Sequence, residues 1–245
     1  MLSPILIPGL FITGTDTDVG KTIIAGAIAQ WFARRGAVVA VCKPIATGCV
    51  RRREGLVSED AEFLASAAES RHPLDLICPR RFAEPLAPAI AAERAREPID
   101  WPAIDRSLQQ MCVGSGVMIV EGIGGVAVPL DERATVLHLA SWLRLPTIVV
   151  ARPGLGTINH TLLTIAALRS AGVEVAGVVI NRYPAESASI AEETNIDAIE
   201  RWGGTSVLCI VPEEPVKRAS IPVEIAAAID QVDWSKFAVR RMIGQ

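Results

Sequence analysis

The chain has 245 residues, half of them hydrophobic and 4% aromatic, with 24 Lys plus Arg against 27 Asp plus Glu for a net charge of −3. That length accommodates one large α/β domain or at most two small ones, and the charge balance offers no global attraction to nucleic acid. No apolar run reaches about 18 residues, so no membrane-spanning helix is expected.

Taken in order, the chain opens on a strand-like run over residues 10–13, without the basic leading region of a signal peptide. It leads directly into Gly14-Thr15-Asp16-Thr17-Asp18-Val19-Gly20-Lys21-Thr22. A strand followed by such a loop and then a helix is a phosphate-binding arrangement. The glycines let successive backbone N–H groups curl around phosphate oxygens, and the helix directs its positive end at them. Lys21 can reach β- and γ-phosphates, and the Thr22 hydroxyl can ligate Mg²⁺. The spacing is one residue longer than the standard loop, whose first glycine falls at Thr15 here. A Gly-Lys-Thr tripeptide also arises by chance in surface loops, but the flanking strand and helix patterns favour nucleoside-triphosphate binding.

Helical periodicity covers 22–35, and a second strand spans 38–42, ending in Lys43-Pro44-Ile45-Ala46-Thr47-Gly48. Lysine suits an anion or a transferring phosphoryl group, yet strand-end lysines on solvated loops are common. A helix over 58–70 follows the run Arg51-Arg52-Arg53, which reads more readily as a solvated loop than as a phosphate clamp. Asp60 stands in that helix's first turn, where the helix dipole alone favours acids. The Pro-rich stretch 80–98 reads as an ordered excursion, because it retains Phe82, Leu86 and Ile90.

A helix over 100–113 precedes a strand over 117–121, which ends in Glu121-Gly122-Ile123-Gly124-Gly125. An apolar strand delivering one carboxylate beside a phosphate loop is how nucleotide enzymes hold Mg²⁺, and the glycines permit close backbone approach to phosphates. Further helices are expected over 136–143, 158–171 and 187–202, and strands over 147–151, 175–181 and 206–211. Leu155-Gly156-Thr157-Ile158-Asn159-His160 opens a helix whose free N–H groups suit a carboxylate or phosphate. His160 within it reads as structural. Asn181-Arg182 ends a strand, where Asn serves equally as a base contact or a turn residue. Gly36, Gly172 and Gly203 follow helical patterns as left-handed caps.

Strands alternating with helices predict one α/β domain over 1–245, a doubly wound and mostly parallel sheet with helices on both faces. Ligands in such sheets sit beyond the carboxyl ends of the strands. Cys42, Cys49, Cys78, Cys112 and Cys209 form no C-x-x-C pair and cluster with no histidine, which fits neither a zinc site nor a secreted disulfide framework. A cytoplasmic protein is expected.

Together the phosphate loop, Lys43-Pro44-Ile45-Ala46-Thr47-Gly48, Glu121-Gly122-Ile123-Gly124-Gly125, Gly156-Thr157-Ile158-Asn159-His160 and Asn181-Arg182 resemble dethiobiotin synthetase in order and spacing, from residue 10 to about residue 213. The resemblance implies a P-loop NTPase-like fold and a reaction of 7,8-diaminononanoate, CO₂ and MgATP to dethiobiotin, ADP and phosphate. It implies Lys21 and Lys43 as catalytic cations, with Thr47 and Asp18 at the diamine or carbamate. Thr17, Asp18, Val19, Gly20, Lys21 and Thr22 would hold the phosphates, and Thr22, Asp60 and Glu121 the Mg²⁺, with Gly122 and Gly124 beside the nucleotide. Asn181 and Arg182 would meet adenine, with Val211, Pro212 and Glu213 closing over it. Gly156 and Thr157 would hold the substrate's tail carboxylate across a homodimer interface. Asp18 stands where many relatives of that family carry Glu, and the tail with Trp234, Arg240 and Arg241 matches nothing in it.

Two rivals share the phosphate loop. Partition and cell-division ATPases carry a lysine five residues before Lys21, but that position is Asp16 here. Amidoligases of the cobyrinate type need a glutaminase Cys–His pair, which this chain does not display.

Overall fold

The computed structural model describes residues 2–53, 55–215 and 220–239; Arg240 and Arg241 lie outside them. Six strands form one parallel sheet: β1 (Gly9–Gly14), β2 (Val39–Cys42), β7 (Val117–Gly125), β8 (Thr147–Ala151), β9 (Val175–Tyr183) and β10 (Val207–Pro212), in the order β10-β9-β8-β1-β7-β2. β1, β2 and β8 are buried at every position, as near-continuous apolar runs require when helices cover both faces of a sheet. The expected strands recur, with β7 running on from Glu121 through Gly125, because Gly14 pairs with Gly125 beyond a register shift.

Helix α1 (Lys21–Ala33) lies against β1, β2 and β7, with α2 (Glu59–Ala67) and α9 (Val223–Asp230) packed beside it. The second layer holds α6 (Val136–Leu143), α7 (Thr157–Ser170) and α8 (Ile190–Gly203), packed along β7 to β10. Left-handed Gly36 and Gly172 cap as expected, but α8 extends through Gly203 and its left-handed cap is Gly204.

Between β2 and β7 the chain makes its excursion: β3 (Ile45–Ala46), the antiparallel hairpin β4 (Val50–Arg52) with β5 (Gly55–Val57), then α2, α3 (Leu74–Ile77), β6 (Arg80–Arg81), α4 (Pro88–Ala95) and α5 (Trp101–Cys112). The stretch expected as a loop before α2 is thus a hairpin. Within the Pro-rich segment Phe82 is buried, while Leu86 and Ile90 are exposed, so one of three apolar anchors joins the core. The tail does join it: Trp234, in the short 3₁₀ turn η1 (Trp234–Lys236), is fully buried against the α1 layer. All five cysteines carry free thiols.

Candidate functional site

A cleft of about 1080 Å³ opens at the carboxyl ends of β1, β2 and β7. The strand order places β1 inside the sheet, with β2, the next sheet strand in sequence, to one side of it and β8, which follows β7, on the other. Such a reversal leaves a crevice beyond the strand ends.

The loop from β1 to α1 forms one wall. Asp18 (φ 58°) and Gly20 (φ 90°) are both left-handed, backbone turns of the kind from which anion-binding concavities of N–H groups are built. Several bonds fix the loop before any ligand arrives. Thr15 N–H donates to the Val150 carbonyl at 3.0 Å and Thr17 N–H to Asp16 Oδ1 at 2.7 Å. Lys21 Nζ donates to the Asp16 carbonyl at 2.8 Å. Thr17, Asp18, Gly20, Lys21 and Thr22 face the cleft, whereas Val19 is buried beneath it.

Four elements bring their polar ends together beside this loop. Thr22 from α1 donates to Glu121 Oε1 of β7 at 2.8 Å. Lys43, just past β2, lies with Nζ 2.5 Å from the same oxygen and 3.0 Å from Asp60 Oδ2 in the first turn of α2. Ser58 caps α2 by accepting from Ala61 N–H at 3.2 Å, which orients that turn. The backbone N–H of Lys43 donates to the Ile77 carbonyl at 2.8 Å, fastening the strand end to the excursion.

Electrostatics follow from the burial. Desolvation works against charge on Lys43, but the Glu121 and Asp60 carboxylates more than offset it and hold its pKa above the ordinary lysine value. Desolvation pushes Glu121 above the usual carboxylate range. Asp60, half exposed, is also raised by desolvation, but Lys43 and hydrogen bonds from Lys43 and Thr22 bring it below that range. Desolvation lowers Lys21 to about 8. Glu121 Oε2 is buried with no hydrogen-bond partner among the described residues. An unpaired carboxylate oxygen, a neighbouring hydroxyl and a half-exposed second carboxylate make a hard, oxygen-rich donor set, of the kind Mg²⁺ takes together with phosphate oxygens.

Thr47 lines the cleft from the strap that follows β3, and this strap is held by Gly48 and Cys49 N–H donating to the Glu84 and Phe82 carbonyls. Gly124 and Arg182 also line it. Gly124 is left-handed, and a Cβ there would come within 2.7 Å of Val128. Gly122 sits inside β7, facing the Phe11 ring and Val136, so its small size answers to core packing. Asn181 is buried and donates through Nδ2 to the Val19 carbonyl at 2.9 Å, a contact sequence reading missed, since nothing local to Asn181 signals a partner 162 residues away. Val211 and Pro212 end β10, and Glu213 just past it donates its N–H to the Tyr183 carbonyl at 3.1 Å; none of the three is in the cleft lining. Gly156 and Thr157 start α7 outside the cleft lining. Gly156 is exposed, and the buried Thr157 hydroxyl lies 3.5 Å from Thr161 Oγ1. Arg52, read as a solvated loop residue, lines the cleft in a bidentate pair with Glu62 at 2.6 and 2.9 Å.

A family model described as an AAA domain matches residues 8–219. In fold the chain is similar to a ParA family ATPase from Chlorobium tepidum (TM-score 0.57, 12% identity, 94% of this chain and 98% of that one) and to a chain of the MinC:MinD cell division protein complex of Aquifex aeolicus (0.53, 16%, 85% and 82%). The sheet order and phosphate loop therefore define a nucleotide-binding protein of the P-loop NTPase class. ATP-dependent dethiobiotin synthetases are far nearer in sequence: that of Anaeromyxobacter dehalogenans is 40% identical over 208 residues (84% of this chain, 91% of the relative), and that of Bacillus cereus 42% over 205 residues (83% of each). The chain belongs to the dethiobiotin synthetase family, ATP-dependent ligases that close the ring of dethiobiotin in biotin biosynthesis.

Proposed function

We propose that this chain performs the family's ring closure in the cleft at the ends of β1, β2 and β7, with Lys21 and Lys43 as its catalytic cations. The observation that carries the assignment is the convergence of Lys43, Thr22, Asp60 and Glu121 beside the phosphate loop. One amine of 7,8-diaminononanoate takes up CO₂ as a carbamate. A carbamate oxygen attacks the γ-phosphorus and ADP leaves, giving a carbamic–phosphoric anhydride. The second amine attacks the carbonyl carbon, phosphate leaves with the bonding pair, and the nitrogen loses a proton.

Both the carbamate and the triphosphate are anions, so cations must offset their repulsion before in-line transfer. Lys21 bridges carbamate and γ-phosphate, and Lys43 stabilises the carbamate and the anhydride. Thr47 and Asp18, both lining the cleft, address the diamine or carbamate. Thr22, Asp60 and Glu121 would hold Mg²⁺, a role supported by the unpaired Glu121 Oε2. The ion would supply charge neutralisation at the β- and γ-oxygens. Thr17, Val19, Gly20, Gly122 and Gly124 shape the phosphate site. Asn181, Arg182 and residues 211–213 border the base.

Gly156 and Thr157 lie outside their own chain's cleft, and the neighbouring Leu155 is 83% exposed. That placement supports a homodimer in which this helix start holds the substrate's tail carboxylate for a second copy. A single domain over 1–245 and a cytoplasmic location complete the reading; among the described residues no helix is long and apolar enough to cross a membrane.

The test is phosphate release from MgATP, with and without 7,8-diaminononanoate and bicarbonate, with the product weighed by mass spectrometry. Release that requires both additions, with dethiobiotin appearing in step, is expected. Release indifferent to the diamine would overturn the assignment in favour of an ATPase switch.

A further inference from the structure

The buried amide of Asn181 does something a base contact alone does not require. Its Nδ2 donates to the Val19 carbonyl at 2.9 Å, tying the end of β9 to the phosphate loop that follows β1, although β8 lies between those two strands in the sheet. The loop is built around this contact. A Cβ on Gly20 would come within 2.0 Å of Asn181 Nδ2, and Gly20 holds φ 90°, a left-handed conformation natural to glycine. Val19 is itself buried, and its Cγ2 would meet a Cβ on Gly14 at 2.7 Å. Asn181 therefore presses on the turn that immediately precedes Lys21 and Thr22.

We propose that Asn181 is a positioning residue for the phosphate loop, acting through the Val19 carbonyl to hold the Gly20 turn in its anion-binding shape. The carbonyl between Val19 and Gly20 belongs to the same peptide unit as the Gly20 N–H. Fixing the oxygen fixes the plane of that unit, and so the direction in which the N–H points. Without the amide donor, a buried carbonyl loses its partner and the peptide gains a reason to rotate toward water. Any contact to the base would fall to Oδ1, so one residue would couple base reading to phosphate grip. This inference rests on the reading of the loop as a triphosphate site and adds a second duty to a residue otherwise assigned to adenine.

The two duties separate with a ligand that has no base. Binding of Mg²⁺-tripolyphosphate and of MgATP would be measured by titration calorimetry on the full chain, its Asn181→Ala and Asn181→Asp variants, and Lys21→Ala as a control. Asp preserves the shape of Asn but, ionised, has no proton to donate to Val19. The expected result is that both Asn181 variants lose affinity for tripolyphosphate, on the order of tenfold for Ala, while thermal unfolding shows the fold retained. Loss confined to MgATP would reduce Asn181 to a base contact and overturn the proposal. Unchanged binding of both ligands would overturn it and remove Asn181 from the nucleotide site altogether. If Ala unfolds the chain, Asn181→Leu, similar in size, uncharged and without a donor, decides. Tripolyphosphate binding untouched by Lys21→Ala, or absent from the unaltered chain, would instead sink the underlying reading of the loop.

Discussion

Lys43 Nζ and Glu121 Oε1 stand 2.5 Å apart in a position where both side chains are almost wholly buried. A buried ion pair is weak evidence for stability, because desolvation offsets most of the attraction, and this one lines the cleft beside the phosphate loop. Lys43→Ala is expected to retain MgATP binding and to lose dethiobiotin formation by about two to three orders of magnitude, the scale of removing one charge-stabilising donor. Calorimetry for nucleotide and a mass-resolved product assay read the two separately. Turnover at the unaltered rate would remove Lys43 from the mechanism.

Glu121 carries the other half of that relationship. Its Oε1 takes donors from both Thr22 and Lys43, while Oε2 has none among the described residues. Glu121→Gln and Asp60→Asn should each weaken Mn²⁺ binding in the presence of ATP at least about tenfold, as read by electron paramagnetic resonance. Metal affinity indifferent to both changes would place the ion elsewhere and leave the carboxylates as partners of Lys43 and Thr22.

Lys21 sets a pH dependence whose sign can be worked out. Desolvation lowers its pKa to about 8, against an ordinary lysine value near 10.4. A bound triphosphate favours the ammonium and raises that pKa again. Nucleotide binding at pH 8 should thus take up about half a proton, falling toward zero below about pH 7, and affinity should decline as pH rises beyond 8. Calorimetry in buffers of different ionisation enthalpy measures the uptake directly. Lys21→Ala should weaken binding and turnover together and abolish the uptake; an uptake that survives in this variant would assign the proton to another group.

The placement of Gly156 invites a complementation experiment. Gly156→Asp sets a carboxylate where the substrate's own tail carboxylate would dock, at a φ of 88° that Asp tolerates better than most residues. This variant and Lys43→Ala should each be inactive alone. Mixed and re-equilibrated, they should regain activity at about one quarter of sites, the statistical share in which an intact cleft meets an intact helix start across a two-fold interface. No recovery, with exchange of subunits verified, would place the tail carboxylate within a single chain.

Much of this was legible because the pattern was local. The loop from Gly14 to Thr22 sits between an unbroken apolar run and a helix, and residues 147–151 and 136–143 recur as β8 and α6 with no change of boundary. What escaped depended on distance. The hairpin of β4 and β5 hides behind three arginines, because the bidentate partner of Arg52 is Glu62 on α2, beyond the turn. Leu86 and Ile90 look like core anchors in one dimension, yet Leu86 lines the cleft with Pro85 and Pro88, and Ile90 is left exposed on α4. Asn181 reads as a turn or base residue until β9 is set two places from β1, where its amide reaches Val19.

The tail yields the last expectation, on stability and not on catalysis. Trp234 is fully buried, and its indole N–H donates to the Ile229 carbonyl at 2.9 Å. Around it α9 packs on α1 and β10, and Arg35 at the end of the α1 layer pairs with Asp230 at 3.3 Å. An isolated tryptophan between polar residues gives no periodicity to read, but in three dimensions it covers the side of α1 away from the cleft. Trp234→Ala should destabilise the chain by about 3–5 kcal/mol, the usual cost of emptying a large aromatic site, seen as a lowered urea midpoint. Trp234→Phe should cost less, since it keeps a buried ring and the Ile229 carbonyl still accepts from Val232 N–H at 3.2 Å. Turnover measured well below either midpoint should stay near that of the unaltered chain, since the tail supports α1 without lining the cleft. Stability unchanged by Trp234→Ala would make the tail peripheral, and turnover that falls while the fold holds would draw α1's far face into the catalytic machinery.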